Sequence, residues 1–490
     1  MRQLVQFRPR DFQLFNKLIA IDDPTNINDT INEHWSLIWQ ETENKRWSQE
    51  SKSAYGQLKQ CLKYHLYEKR DGGIINQIIT EEGTTISNPK EVNEQLAKTI
   101  EEIQVDRRWE DLEEKPFPIL PVLSIEQMKT ILEGLSHGKA ITMDGITDSI
   151  FKKENTNRVA EILKDLWSTE LSQVEGIEAS FTSRLVPLNK VFPNTPTRKQ
   201  MRPILVCSPL QKLLEARFLP KLMNYLKNDL HKSQIGFVPG QGIEVNLLRA
   251  FCVIKISTEE KKMHCKYGLF IDFANAYNTV PHSLLFRKLR QKKCLDVEEI
   301  DYLEALYSRY RIRIGNKVIK YNKGVAQGSI LSPALFDIFI EDLAQDLSKV
   351  MGIGFEDVLF YADDILVLCQ TQAQLKQCIE IIEDWSKQNG MELNKKKSGI
   401  LPFTSRGSKD IPFLRTEEVS NKENKKIKTK LVPTLDHISG IPIVSVYKYL
   451  GTYMETKLTM STQLESIKKK ANFLFVKLYP YLANTSADGR

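Results

Sequence analysis

Three aspartates lie where apolar, strand-like segments end or turn, and they could hold divalent cations. Asp363 and Asp364 are adjacent within LFYADDILVL (359–368), which has apolar residues on both sides of the pair. Taken alone, such a pair favours a solvent-exposed turn, because aspartate is a common turn residue and burying a carboxylate without a partner is costly. Neighbouring side chains of a regular strand point to opposite faces. A hairpin with the pair at its tip could instead bring both carboxylates to one place.

Asp272 supplies the third acid. It ends the apolar stretch YGLFI (267–271) and precedes Asp363 by 91 residues (363 − 272). If the two segments are neighbouring strands of one sheet, three carboxylates converge and repel one another unless cations lie among them. Mg²⁺ takes carboxylate and phosphate oxygens. Two such ions about 4 Å apart can stabilise the attacking and leaving oxygens of an in-line phosphoryl transfer. The pattern therefore predicts a site for two Mg²⁺ ions, with Mn²⁺ as the alternative.

Composition limits the class of protein that these acids can serve. The chain has 490 residues, enough for roughly two to four domains, and a net charge of +7, which is weak evidence for a polyanionic partner. The seven cysteines lie far apart, with no CxxC pair and no zinc-finger spacing, which favours a reducing compartment. No apolar run is long enough to span a membrane. We expect an intracellular protein without membrane contact.

Helical and strand patterns surround the acids. WSLIWQ (35–40) and YGQLKQCLKYHLYEKR (55–70) have the spacing of amphipathic helices with basic faces, for which a solvated face is favoured over nucleic-acid contact. Residues 180–191 and 201–210 are typical of two short strands. Residues 406–431 are charged and predict a solvated loop. SVYKYLGTYM (445–454) predicts a final strand pair.

The ordered motifs resemble those of reverse transcriptases over about two-thirds of the chain, from Ser124 to Met454. YADD alone is weak evidence, since four residues recur by chance, but five motifs in the right order are very specific. The segments similar to the palm motifs are FIDFANAYNTVPHSLL (270–285), GVAQGSILSPALFDIFI (324–340), YADD (361–364), MELNKKKS (391–398) and YKYLG (447–451).

The flanking segments resemble the non-LTR (LINE-type) retrotransposon polymerases more than the retroviral enzymes. They are HGKAITMDGI (137–146), RPILVCSPLQKLLEA (202–216) and GFVPGQG (236–242). Group II intron proteins are the next nearest group. This resemblance implies an RNA-directed DNA polymerase that adds dNTPs to a DNA primer on an RNA template during retrotransposition.

The resemblance also implies an α+β chain with a right-hand polymerase fold, in which an antiparallel palm sheet is backed by helices. We expect fingers and palm to be complete and the thumb to be only begun. The implied divisions are 1–115 as an N-terminal helical extension, 116–255 as fingers, 256–405 as palm, 406–432 as a charged loop insertion, 433–460 as a primer-grip hairpin and 461–490 as the start of a truncated thumb.

Roles for the acids and for Lys397 follow from the same resemblance. Asp272 and Asp363 would be the principal metal ligands, with Asp364 supporting them. Lys397 is the lysine of an NxxK pattern that begins at Asn394, and it could protonate the leaving pyrophosphate. Taken alone, the run of three lysines that Lys397 ends favours a solvated surface.

The remaining implied roles concern nucleotide and primer. Tyr277 would block a 2′-hydroxyl, although without the surrounding motif a core aromatic would be favoured. Lys190 and Arg202 would contact the triphosphate, where arginine offers a planar fork and lysine a point charge. The other implied contacts are Phe273, Gln327 and Gly328 for the nucleotide, and Tyr449, Leu450 and Gly451 for the primer grip.

Three departures from the family pattern keep alternatives open. Asn278 stands where a second aspartate is common, and Ala326 stands where proline is common. We recognise no endonuclease domain or Cys/His finger in the chain, so we expect a separate endonuclease to be needed. The alternatives are a non-catalytic RNA-binding scaffold and an intron-encoded maturase.

We expect a nuclear and cytoplasmic location, with the mitochondrion as an alternative because the first residues are basic.

Overall fold

A computed structural model of the chain describes most residues between 73 and 483. The predicted helices at 35–40 and 55–70 lie outside the described residues. One compact unit spans Asp71–Glu465, and the other includes the chain from Ser466 onwards. The described residues are 73–483 apart from 106–107, 136–141, 147, 153–154, 169–170, 172–176, 260–265, 405–412 and 421–426.

Helices form a large part of the described chain, and their ends follow capping chemistry. Ser124 makes a capping box with Gln127, and Gly390 ends a later helix with a φ of 68°. The described α-helices are α1 (Pro89–Gln104), α2 (Ile125–Glu133), α3 (Thr156–Ser168), α4 (Ile177–Ser180), α5 (Pro209–Ala216), α6 (Leu219–Asn228), α7 (Ile243–Glu259), α8 (Ala276–Thr279), α9 (His282–Lys292), α10 (Val297–Arg309), α11 (Ser332–Leu347), α12 (Gln372–Asn389) and α13 (Ser461–Ala483).

The strands of the described residues are short and form six small sheets. They are β1 (Ile78–Ile79), β2 (Thr85–Ile86), β3 (Thr182–Asn189), β4 (Met201–Val206), β5 (Tyr267–Ile271), β6 (Arg311–Ile314), β7 (Lys317–Lys320), β8 (Val358–Tyr361), β9 (Asp364–Cys369), β10 (Gly399–Pro402), β11 (Leu414–Ser420), β12 (Ile427–Pro433), β13 (His437–Ile438), β14 (Ile441–Pro442), β15 (Val446–Tyr449) and β16 (Thr452–Glu455).

The central sheet is antiparallel and has the strand order β10-β5-β9-β8. Alternate residues of its strands enter two different hydrophobic clusters. Leu269 and Ile271 pack in a cluster with residues of α11 and α12, whereas Phe270 packs with residues of α7 and of β15–β16. A sheet covered on both faces needs apolar residues at successive positions. This explains the unbroken apolar runs YGLFI and ILVL, and it gives the aspartates a rigid support.

A second sheet has the order β4-β3-β6-β7 and joins distant parts of the chain. β3 pairs with β4 in an antiparallel register, and it pairs in parallel with β6, from Thr182↔Arg311 to Arg184↔Arg313. Residues from the predicted fingers and palm ranges therefore share one sheet. The domain boundaries themselves remain predictions. In the predicted helical extension, β1 and β2 precede α1, and Ile75 donates its backbone N–H to the Pro187 carbonyl at 2.9 Å.

The predicted charged loop is wrong for residues 414–420 and 427–432. These residues belong to the antiparallel strands β11 and β12, whose register runs from Leu414↔Pro433 to Ser420↔Ile427. β-branched residues recur along both strands, as in IKTKLV, and favour extended backbone even where lysine and glutamate separate them. The strand-forming residues therefore decide the local structure here, and the charges do not.

The predicted final strand pair is confirmed as β15–β16, in the register Val446↔Glu455 to Tyr449↔Thr452. Leu450 and Gly451 form its turn, with φ of 45° and 80°. The Val444 amide donates to the Ile400 carbonyl at 2.9 Å, which ties this region to β10 of the central sheet.

Among the described helices, none is both long enough and apolar enough to cross a bilayer.

Candidate active site

The three aspartates converge at one end of the central sheet. Ile271 and Ile365 form the last pair of β5 and β9, so Asp272, which follows β5, and Asp364, which begins β9, lie at the same end of the sheet. β8 and β9 are joined by a two-residue turn, because Tyr361 pairs with Asp364. Ala362 and Asp363 form that turn. The predicted hairpin is present, but its turn is Ala362–Asp363 instead of Asp363–Asp364, and Asp364 begins β9.

Burial and mutual repulsion set the protonation of these acids. Burial, then the charges of Asp363 and Asp272, raise the pKa of Asp364 to about 6. Burial also raises the pKa of Asp363, and the Asp272 charge raises it further. At Asp272, burial raises the pKa while Lys397, Asn394 and Lys190 act against it. The charges of these acids therefore act on one another's pKa values, and a divalent cation bound among them would favour the ionised forms.

The donor set fits divalent cations chemically, but the metal site is not fully assembled. In the part of the chain that the structure describes, no group of three or more Asp, Glu, His or Cys side chains lies close enough to hold a metal ion alone. Mg²⁺ commonly completes its coordination with water and substrate phosphate. Asp272, Asp363 and Asp364 would therefore supply part of a coordination shell.

Basic residues lie on the side of Asp272. The Lys190 Nζ donates to Asn275 Oδ1 at 2.9 Å. Burial lowers the pKa of Lys190, the nearby charges of Lys397 and Arg202 lower it further, and Asp272 raises it. The structure thus brings together three cations that the sequence places 12 to 207 residues apart (202 − 190 and 397 − 190). They form a cationic wall beside the acids, suited to phosphate oxygens.

Hydrogen bonds to the end of β5 hold the segment that carries Lys397 beside the other two cations. The Asn394 amide donates to the Asp272 carbonyl at 2.9 Å, and the Asp272 amide donates to the Ser398 hydroxyl at 3.1 Å. The Tyr447 hydroxyl donates to the Lys397 carbonyl at 2.9 Å. The NxxK segment is therefore fixed against the end of β5.

Tyr277 lies beside the acids on the short helix α8. Its ring stacks on Phe336, with ring centroids 4.3 Å apart and planes 12° apart. Its hydroxyl is buried and has no hydrogen-bond partner among the described residues. Burial, then the charges of Asp337 and Asp363, raise the pKa of Tyr277. The stacked ring is a rigid wall, which suits a steric role.

Gln327 and Gly328 lie against β4, which carries Arg202. The Leu205 amide donates to the Gln327 carbonyl at 3.0 Å. Gly328 has a φ of 150°, and a Cβ built on it would lie 2.0 Å from the Leu205 carbonyl oxygen. No other residue fits there without moving the backbone.

Two predicted contacts lie in the core rather than in the site. The Phe273 side chain is only 4% exposed, and its ring lies 6.1 Å from that of Trp385. Only its backbone could contact a nucleotide. The Tyr449 side chain is 2% exposed and packs 5.6 Å from the Phe270 ring. Of the predicted primer grip, Leu450 and Gly451 at the turn remain the more accessible members.

Sequence reasoning missed two buried residues beside the β8–β9 hairpin. Asp337 follows Phe336 on α11, is 0% exposed, and has neither carboxylate oxygen hydrogen-bonded within the described chain. Gln234 contacts the backbone of Ala362 through its side-chain amide. Asp337 lies within SPALFDIFI, and an acid among these apolar residues was the sequence signal that could have identified it. No local sequence pattern would have identified Gln234.

An antiparallel sheet that presents three aspartates beside a cationic wall defines a nucleic-acid polymerase of the right-hand class. The family model described as reverse transcriptase (RNA-dependent DNA polymerase) matches residues 192–452, more than half of the chain. The chain belongs to the reverse transcriptase family. The predicted α+β, right-hand polymerase fold is thereby confirmed. Reverse transcriptases generally use divalent metal ions.

The similar proteins come from non-LTR retrotransposons, as predicted. The chain is 30% identical over 268 residues to a Pol polyprotein from the type-1 retrotransposable element R2 of Popillia japonica, covering 51% of this chain and 35% of that protein. It is 23% identical over 380 residues to an RNA-directed DNA polymerase from the mobile element jockey of Drosophila melanogaster, covering 74% and 39%. The chain therefore spans between a third and two-fifths of these relatives.

A solved structure of apo telomerase from Candida tropicalis, truncated from its C-terminal domain, is also similar. It has a TM-score of 0.36 and 16% identity, over 58% of this chain and 61% of that one.

Proposed function

We propose that this chain is an RNA-directed DNA polymerase that extends a DNA primer on an RNA template, as part of retrotransposition. The observation that carries the proposal is the convergence of Asp272, Asp363 and Asp364 beside Lys190, Arg202 and Lys397. Acids that repel one another are costly to keep together unless a cation and a substrate use them.

The reaction would be an attack by the primer 3′-hydroxyl on the α-phosphate of a dNTP. One phosphorus–oxygen bond forms to the primer, and the bond to pyrophosphate breaks. When bound at Asp272, Asp363 and Asp364, two Mg²⁺ ions, or Mn²⁺ as the alternative, would stabilise the charge on the attacking and leaving oxygens.

The basic residues would act on the triphosphate. Arg202 would bind phosphate oxygens through its planar fork. Lys190 would add a point charge, and the hydrogen bond to Asn275 would fix the position of its ammonium group. Lys397 would donate a proton to the departing pyrophosphate. The stacked Tyr277 ring would exclude a ribose 2′-hydroxyl. Gln327 and Gly328, whose loop is held against β4 by the close approach of Gly328 to Leu205, would lie against nucleotide and template.

The remaining partners belong to the same proposal. RNA template, DNA primer and dNTPs are the substrates that this chemistry needs. The turn at Leu450 and Gly451 would contact the primer end, and a separate endonuclease would supply the primer nick. A nuclear and cytoplasmic location would give access to both nucleic acids, with the mitochondrion as the alternative.

Primer extension tests the proposal. Wild type, Asp363→Asn and Asp346→Asn are each given a DNA primer on an RNA template with dNTPs and Mg²⁺. Asp346 is a matched control because it lies on α11 in an exposed ion pair with Lys349. We expect extension by wild type and Asp346→Asn, and none by Asp363→Asn.

The same experiment separates the main alternative. RNA binding by wild type without any extension would favour a non-catalytic scaffold and contradict the proposal. Extension that is equal in wild type and Asp363→Asn would contradict the assignment of the catalytic acids.

A further inference from the structure

The turn of the catalytic hairpin contains a non-glycine residue in a left-handed conformation. Ala362 has a φ of 54° and lies directly before Asp363. For a residue with a Cβ, this conformation is unfavourable and persists where the surroundings enforce it. The direction in which Asp363 leaves the turn depends on this backbone angle.

Gln234 holds the turn with both ends of its side-chain amide. Its Nε2 donates to the Ala362 carbonyl at 3.2 Å, and its Oε1 accepts from the Ala362 amide at 3.0 Å. The same Oε1 accepts from the Gly236 amide at 2.8 Å. Gln234 is 2% exposed, so water competes little for these bonds.

The backbone around Gln234 is docked on the same hairpin. The Ile235 amide donates to the Phe360 carbonyl at 3.1 Å, and the Phe360 amide donates to the Ser233 carbonyl at 2.9 Å. A Cβ on Gly236 would lie 2.4 Å from the Ala362 nitrogen, so the two backbones are in close contact. Residues 233–236 therefore form a cradle for β8 and its turn.

We propose that Gln234 is a positioning residue that holds Ala362 in its left-handed conformation, and so directs Asp363 and Asp364 to one site. The inference rests on the proposed polymerase function. A side-chain amide suits this task because it presents a donor and an acceptor together. An ionised glutamate at this position would accept twice and repel the Ala362 carbonyl.

Steady-state primer extension, together with hydrogen exchange, tests the role. We expect Gln234→Ala and Gln234→Glu to lower kcat by about 10- to 100-fold, because small misplacements of reacting groups have effects of that size. The KM for dNTP should stay within about threefold, since the nucleotide contacts are elsewhere. Amide exchange in a peptide covering 359–366 should become faster in both variants.

Ala362→Gly provides the rescue. Glycine adopts this φ without strain, so the turn should depend less on the clamp. We expect the double variant Gln234→Ala/Ala362→Gly to recover about tenfold of the lost kcat, in line with the removal of the left-handed penalty. A side chain that merely fills space would show no such recovery.

Gln104→Ala is the matched control. Gln104 is also buried and also clamps backbone, with its Nε2 donating to the Lys323 carbonyl at 3.1 Å and its Oε1 accepting from the Lys323 amide at 2.9 Å. We expect a comparable loss of thermal stability but unchanged kcat and unchanged exchange at 359–366. Equal kcat losses in Gln104→Ala and Gln234→Ala, or no rescue by Ala362→Gly, would overturn the inference. Absence of extension by wild type would instead contradict the polymerase function.

Discussion

The Ser329 hydroxyl donates to Glu215 Oε2 at 2.7 Å, which joins the loop of Gln327 and Gly328 to a helix 114 residues earlier. Glu215 is 0% exposed and also accepts from the Tyr310 hydroxyl and the Gln211 amide, each at 2.9 Å. The loop proposed to lie against the nucleotide is thus attached to a buried carboxylate with satisfied hydrogen bonds. Its position is set from behind by α5 and from the side by β4.

Removing this attachment should weaken nucleotide binding. We expect Ser329→Ala to raise the KM for dNTP about five- to tenfold, since a hydrogen bond typically contributes about 0.5–1.5 kcal/mol. The measurement is single-nucleotide extension over a range of dNTP concentrations. Ser308→Ala is the control, because that buried hydroxyl donates to Ala305 within its own helix. A KM unchanged in Ser329→Ala would show that the loop keeps its position without Glu215.

The Tyr277 ring, rather than its hydroxyl, should discriminate between sugars. Tyr277→Ala removes the wall stacked on Phe336 and should increase ribonucleotide incorporation relative to deoxynucleotide incorporation. Tyr277→Phe keeps the ring and removes a hydroxyl with no partner among the described residues, so discrimination should stay near wild type. Competition between dNTP and rNTP on one RNA template measures the ratio. Discrimination that persists in Tyr277→Ala would exclude the residue as the gate.

Arg202 should act through geometry as well as charge. We expect Arg202→Lys to raise the KM for dNTP about tenfold, because lysine lacks the planar fork that binds two phosphate oxygens. Arg184→Lys is the control on the same strand pair, where Arg184 lies opposite Val206. Pyrophosphate and dNTP titrations of both variants check the assignment. Equal effects of the two substitutions would point to general electrostatics instead.

Asp337 should destabilise the fold at neutral pH. Burial, then the Asp363 charge, hold its pKa well above the ordinary value. The folded chain therefore keeps a proton that the unfolded chain releases above about pH 4, so this group makes stability fall as pH rises. We expect Asp337→Asn to gain about 1–3 kcal/mol at pH 7.5 and little near pH 4, because asparagine has no proton to lose.

Thermal unfolding at the two pH values measures this difference. Asp342→Asn on the same helix is the control, since Asp342 pairs with Lys288 at 2.7 Å and accepts from Trp385 Nε1 at 2.9 Å. That variant should lose stability at pH 7.5. A lower Tm for Asp337→Asn at pH 7.5 would show that the carboxylate has a stabilising partner.

Local patterns were enough to predict the strands that position the three aspartates. Asp272 and the Asp363–Asp364 pair stand at the ends of apolar runs, and an apolar run that ends on an acid can be read without knowing its neighbours. The strand pair at 445–454 was likewise readable, since turn chemistry acts over a few residues.

The supporting residues could not be predicted, because their partners are far away in the sequence. Gln234 and Ala362 are 128 residues apart, and a buried glutamine has no local pattern that names its partner. Phe273 shows the opposite error. Its neighbour Asp272 belongs to the site, but successive residues at a strand end point to different sides, and Phe273 enters the core. Side-chain direction at a strand end depends on tertiary packing.

The order of strands in the central sheet also has a consequence for synthesis of the chain. β5 lies between β9 and β10, so its second edge is covered only when residues 399–402 have emerged from the ribosome. Before that point, a growing chain already carries all three aspartates but exposes an apolar strand edge that can pair with other chains. We therefore expect translation that stops before residue 399 to yield an aggregation-prone product instead of a weakly active enzyme.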